Sequence, residues 1–140
     1  MIILSGADLV LPDRLLGPGT LVIEGTRIIE VRPGTVATFP GADHVNLRDC
    51  CVVPGFIDIH VHGIDGHDVL DGPYAIPAMA ARLPRFGVTA FCPTTIACAP
   101  APLRAALAAV RAARVAPGER AARVLPAHLE SNFLNPEYRG

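Results

Sequence analysis

At 140 residues the chain has the length of one ordinary domain, and with 51% hydrophobic residues it has enough apolar surface to bury, which excludes a disordered segment. Its formal net charge is −1 and its 12 basic residues, all arginine, form no cluster, so no electrostatic footprint for nucleic acid is present and neutral or small anionic partners are expected. No apolar stretch reaches the roughly 20 residues of a membrane helix, and Asp8 interrupts an opening run that carries no basic leader, so a cytoplasmic protein without a membrane partner is expected.

Residues 2–11 are rich in Ile, Leu and Val, and Thr20–Glu24 with Arg27–Val31 reads as two short strands around Glu24-Gly25-Thr26, a hairpin signal. Proline and glycine at 12, 17, 18, 19, 33, 34, 40 and 41 punctuate this stretch, so each element is long enough only for a sandwich or a meander. Beyond Val45 an apolar run reaches Pro54-Gly55, and residues 56–62 then alternate with period two. That places Ile57, Ile59 and Val61 on one face of a strand and Asp58, His60 and His62 on the other.

A helix is predicted from about Tyr74 to Phe86, where Pro84 is awkward because it removes a hydrogen bond and kinks the axis. A second strand follows over Gly87–Pro93. Pro100-Ala-Pro102 opens an alanine-rich helix to about Val115, with Leu103, Leu107 and Val110 along one stripe and Arg104, Arg111 and Arg114 along another. Ala122–Glu130 is predicted as a third strand, in which Pro126 cannot donate to a ladder. Strand, helix, strand, helix, strand is the grammar of a parallel sheet with helices outside. Cys50, Cys51, Cys92 and Cys98 lack C-x-x-C spacing and are expected as reduced thiols.

A buried parallel strand is normally apolar on both faces, so an Asp-x-His-x-His row costs desolvation unless a group such as a divalent metal compensates it. Two imidazoles one residue apart project to the same side and can reach one ion, although most such pairs are surface or hydrogen-bonded histidines. Here the pair runs into Gly63-Ile-Asp-Gly-His-Asp68 at the carboxyl end of its strand, the end at which barrel enzymes place their sites. His128-Leu-Glu130 ends the third strand in the equivalent position, and a hard carboxylate oxygen suits a metal. The candidate ligands are therefore His60, His62 and Glu130, with Asp58, His67, Asp68 and Asn132 as supporting or substrate-loop residues. The plainer alternatives are a solvated strand-end carboxylate for Glu130 and a turn-stabilising role for His67 and Asp68.

Residues 54–63, Pro-Gly-Phe-Ile-Asp-Ile-His-Val-His-Gly, resemble the first barrel strand of the amidohydrolase superfamily, in which a His-x-His pair binds the metal centre. Within that superfamily, His-Gly-x-x-Gly-His-Asp at 62–68, Gly-Val-Thr-Ala-Phe-Cys-Pro-Thr-Thr at 87–95 and the stretch from His128 to Gly140 are similar to the N-acetylglucosamine-6-phosphate deacetylase family. The opening hairpin resembles the small β-sandwich segment before the family's barrel, so the resemblance covers essentially the whole chain.

The resemblance implies an α/β fold with residues 1–53 as an incomplete β-sandwich segment and residues 54–140 as the first three βα units of an incomplete TIM-type (β/α)8 barrel. It further implies metal-dependent hydrolysis of the acetamide of N-acetylglucosamine 6-phosphate to glucosamine 6-phosphate and acetate. Glu130 matches the family's glutamate ligand, and His60 with His62 matches a pair that some members use for a second metal. The implied cofactor is a divalent metal, zinc first, with iron, cobalt or manganese admitted. The implied partner is a small-molecule amino-sugar phosphate.

Two departures stand against the family pattern: Ser131-Asn132 replaces a common Gly-Pro, and the general base and remaining histidine ligands are expected beyond residue 140. A closed barrel takes roughly 250 residues and only roughly 90 follow the front unit, so the chain alone is expected to be inactive and, with an open sheet edge, to form homo-oligomers. The alternatives are another amidohydrolase of dihydroorotase-like or aminoacylase-like type, or a non-catalytic metal-binding or interaction module, which would be a well-folded monomer.

Overall fold

Alternation along Ile2–Val10 makes β1, with Ile3, Ser5, Ala7 and Leu9 buried. The computed structural model describes residues 1–37, 40–130 and 133–138, and the chain divides into two units, Met1–Pro54 and Gly55–Gly140. In the first, β1 pairs antiparallel with β2 (Leu15–Glu24), which pairs antiparallel with β3 (Arg27–Pro33) through the two-residue turn at Gly25-Thr26. Along its other edge β1 runs parallel with β4 (Asp43–Asn46) and then β5 (Cys51–Val52).

Over the described residues, the sandwich expected from the sequence is a single mixed sheet of five strands. β2 also starts at Leu15, ahead of the predicted Thr20, because the far half of β1 recruits Leu15 and Leu16 through a ladder with two register shifts that accommodates Gly17-Pro18. Ala7, Leu9 and Leu21 form the unit's buried cluster, with Leu47 and Val52 packed against it. The buried hydroxyls are satisfied: Ser5 Oγ lies 3.2 Å from Thr20 Oγ1, which donates to Gly34 O at 2.8 Å.

The second unit is built on β6 (Phe56–Val61), followed by a short hairpin of β7 (Gly63–Ile64) and β8 (His67–Asp68). Helix α1 spans Ala75–Arg82 and gives way to a 3-10 turn, Leu83–Phe86. The single helix predicted to Phe86 thus stops short, because Pro84 suits the first turn of a new helical segment and not the interior of an old one. Gly87 closes this turn at φ +76°, a left-handed conformation that only glycine adopts cheaply, and its N–H caps the carbonyls of Leu83 and Pro84. The chain then enters β9 (Val88–Thr95), which runs two residues beyond the predicted Pro93, to Thr95.

Helix α2 (Pro100–Val115) follows β9, and its fully buried residues are Ala106, Ala109, Val110 and Ala113, while Leu103 and Leu107 are half-buried beside them. The core stripe is therefore mostly alanine, set to one side of the predicted Leu103-Leu107-Val110 line. The predicted third strand appears as β10 (Arg123–Val124) and β11 (His128–Leu129), both parallel to β9. Their registers differ by one residue across Pro126, which has no N–H for the ladder, so the strand is interrupted there by an extra residue. β9 is thus central, flanked by β6 on one side and by β10 with β11 on the other, all parallel. Phe91, on β9, is fully buried in a cluster with Ile76, Met79, Leu83, Val110 and Val124. No helix among the described residues is long and apolar enough to cross a membrane.

Candidate metal centre

β6 carries His60 at its end with His62 just beyond, and Glu130 follows directly after β11. Because both strands are parallel to β9, their carboxyl ends lie at the same rim of the sheet. There the three side chains converge, each offering one ligand-capable atom, all within 4.8 Å of one another. His60 Nε2 lies 3.1 Å from His62 Nε2, and Glu130 Oε2 lies 3.5 Å from the first and 3.2 Å from the second. His60 is exposed, while His62 and Glu130 are half-buried.

The ring of His62 is oriented from behind. Its Nδ1 donates to the carbonyl of Thr94 at 3.1 Å, which leaves the Nε2 lone pair of the neutral ring facing the cluster. The carboxylate of Glu130 faces the same point, and His60 Nε2 can offer one proton to only one of these two acceptors. A cation satisfies all three donors at once, and a set of two imidazoles and one carboxylate has the chemistry of a divalent first-row metal site, so these residues fit such an ion.

Among the described residues, the other candidates, Asp58, His67 and Asp68, do not join this group. Asp58 was expected on the same face, but its Oδ1 accepts the backbone N–H of His60 at 3.0 Å. The register of β6 on β9 shifts between Asp58 and Val61, so strict alternation does not hold across that interval. Asp68 accepts the N–H of Leu70 at 2.8 Å and His67 pairs with Ile64 across the hairpin, which places both in the turn architecture of the loop. That loop closes through Asp65 and Gly66, both at positive φ, and Asp65 lies 3.8 Å from Arg82 and 3.6 Å from Arg85. Asn132, with Ser131, lies outside the described residues.

Two residues outside the candidate set also touch the site. His128 Nδ1 donates to Ile59 O at 2.9 Å, and its ring meets that of His60 edge-on at 4.8 Å between centroids. Thr94 holds His62 through its carbonyl and Val61 through its hydroxyl. Both contacts depend on neighbouring strands, so no local spacing signals them.

The fold is shared by a molinate hydrolase structure, at TM-score 0.61 and 22% identity over 90% of this chain. No protein-family model matches the chain. The N-acetylglucosamine-6-phosphate deacetylase of Vibrio furnissii is 37% identical over 100 residues, 71% of this chain and 25% of the relative. An N-acetylgalactosamine-6-phosphate deacetylase of Escherichia coli O157:H7 is 33% identical over 115 residues, 80% of this chain and 30% of the relative. The crystal structure of N-acetyl-D-glucosamine-6-phosphate deacetylase from Mycobacterium smegmatis superposes on all of the chain at TM-score 0.77 and 25% identity, and the chain covers 38% of it. The chain is similar to the amino-terminal portion of the N-acetylglucosamine-6-phosphate deacetylases, and it spans about a quarter to a third of the length of the curated relatives it matches.

Proposed function

We propose that the chain is the metal-holding amino-terminal part of an enzyme that hydrolyses the acetamide of N-acetylglucosamine 6-phosphate, releasing glucosamine 6-phosphate and acetate in the cytoplasm. The carrying observation is the convergence of His60, His62 and Glu130 at the carboxyl rim of a parallel sheet, in a chain whose relatives bear that enzyme's name. The second unit corresponds in this reading to the first three βα units of a (β/α)8 barrel, and the sheet of the first unit to one layer of a β-sandwich segment.

His60, His62 and Glu130 would hold the ion, zinc first, with iron, cobalt or manganese compatible with the same donors. A divalent metal there supplies Lewis-acid activation of water and of an amide carbonyl. His62 enters in a fixed tautomer because its Nδ1–H donates to Thr94 O, and Glu130 brings the negative charge that offsets part of the ion's. The proton-transfer residue is not assigned to these 140 residues, so the chain alone is expected to bind metal without turnover.

The test is a zinc titration against a chromogenic chelator, with glucosamine 6-phosphate release assayed in parallel. Binding that His60→Ala and Glu130→Ala each abolish supports the reading. Equal zinc affinity in wild type and both variants would sink it. The Escherichia coli relative favours a second reading, the same amide chemistry on the galactosamine epimer.

A further inference from the structure

The backbone just before the two histidines is irregular. β6 pairs Asp58 with Phe91 and Val61 with Pro93, so three steps on β6 match two on β9 and one residue is extra in the stretch Ile59-His60. This bulge falls opposite Cys92, directly before Pro93, which pairs with Val61 and has no N–H to give a neighbouring strand. Bulges re-aim side chains next to functional sites, but they also take backbone groups out of the ladder, and those groups need partners.

Side chains supply those partners. The N–H of His60 goes to Asp58 Oδ1 at 3.0 Å, the N–H of Val61 to Thr94 Oγ1 at 3.0 Å, and the carbonyl of Ile59 accepts from His128 Nδ1 at 2.9 Å. Thr94 is 1% exposed, and its hydroxyl in turn donates to Cys92 O at 3.0 Å, so the oxygen is fixed in orientation. The same residue's carbonyl holds His62 Nδ1. One buried threonine therefore pins the backbone between the two imidazoles and the ring of the second, while His128 pins the bulge from the third strand.

We infer that Thr94 and His128 are positioning residues, whose hydrogen bonds to the β6 bulge converge the imidazoles of His60 and His62 on one point. The inference rests on the metal-site reading for its consequence, but not for its geometry. Partners of this kind behind metal ligands typically contribute about 10–100-fold in affinity.

The test uses paired variants of the 140-residue chain. Thr94→Val keeps shape and removes the hydroxyl, whereas Thr94→Ser keeps the hydroxyl. His128→Leu removes the donor, whereas His128→Asn places an amide N–H within reach of Ile59 O. In the metal-free protein, Thr94→Val should speed hydrogen exchange at the Val61 amide and shift the ring-nitrogen resonances of His62, and Thr94→Ser should do neither. Zinc affinity should fall about 10–100-fold in Thr94→Val and in His128→Leu, and be largely retained in Thr94→Ser and His128→Asn.

Wild-type affinity in a folded Thr94→Val with unchanged Val61 exchange would overturn the inference. So would equal loss in Thr94→Val and Thr94→Ser, or in His128→Leu and His128→Asn, since either pattern means that packing or direct ligation matters and the hydrogen bond does not. Should Thr94→Val not fold, the His128 pair decides, because that residue is exposed. A wild type that binds no zinc, but whose Val61 exchange and His62 resonances respond as expected, would remove the metal reading and leave the positioning intact.

Discussion

Glu130 is the residue on which the cluster's charge depends. Its Oε2 faces both imidazole nitrogens, at 3.5 and 3.2 Å, and it is the only one of the three candidate ligands that carries a negative charge. Glu130→Gln keeps the shape but presents a neutral amide, whose NH2 group would face nitrogen lone pairs meant for a cation. Zinc affinity should therefore drop by more than the roughly 10–100-fold typical of supporting partners, and chelator competition measures it. A drop smaller than that of Thr94→Val would mean that Glu130 is not a ligand. At this scale the sequence was informative where a side chain's direction follows from strand period alone, as it does for His60 with His62. Asp58, expected beside the histidines as a supporting residue, accepts the backbone N–H of His60, although the bulge before Val61 breaks the regular ladder that alternation presumes. Thr94 stayed hidden, since it acts on β6 from another strand far along the chain, and for His128 the spacing gave its place at the strand end beside Glu130 but not its bond to Ile59.

Among the elements, the hairpin of β7 and β8 shows how little room surrounds the loop after the histidine pair. A Cβ on Gly63 would lie 2.4 Å from the carbonyl oxygen of His67 and 3.2 Å from Asp68 Cα, both of them backbone atoms that cannot swing aside. Gly63→Ala should therefore destabilise by more than about 1 kcal/mol, because the native backbone cannot accept the methyl, and a urea unfolding midpoint reads the loss. An unchanged midpoint would mean the hairpin opens without cost. Phe91 gives a larger effect: it is fully buried at the centre of β9, and Phe91→Ala should cost about 3–5 kcal/mol, a large part of a small domain's stability. Both helices and the central strand were legible from apolar period and from Pro and Gly punctuation. The carboxyl end of α1 and the broken third strand were not, because Pro84 and Pro126 act by what they permit, a fresh 3-10 turn in one case and an extra residue in the other.

A parallel sheet is ordinarily covered on both faces, and β6 departs from that rule. Ile57 and Ile59 are 59% and 68% exposed, Phe56 is 58% exposed, and β6 has β9 as its only paired neighbour among the described residues. Two protomers meeting on this strand would bury the exposed parts of four isoleucine side chains, worth at most about 1.5–3 kcal/mol each, or no more than about 6–12 kcal/mol in all. Association itself costs about 4–15 kcal/mol, so the side chains alone sit near balance, and added edge-to-edge hydrogen bonding decides the outcome. The expected result is weak, concentration-dependent self-association of the 140-residue chain, visible as a sedimentation coefficient that rises with loading. Replacing Ile57 and Ile59 together by lysine should return the chain to monomer, because charged side chains on an edge strand oppose pairing. That double variant should keep its zinc affinity, since Ile59 supports the site through its carbonyl and not its side chain. A wild type that sediments as a monomer at every concentration would show that the exposed strand is tolerated by itself, and would favour the self-contained module over the barrel fragment.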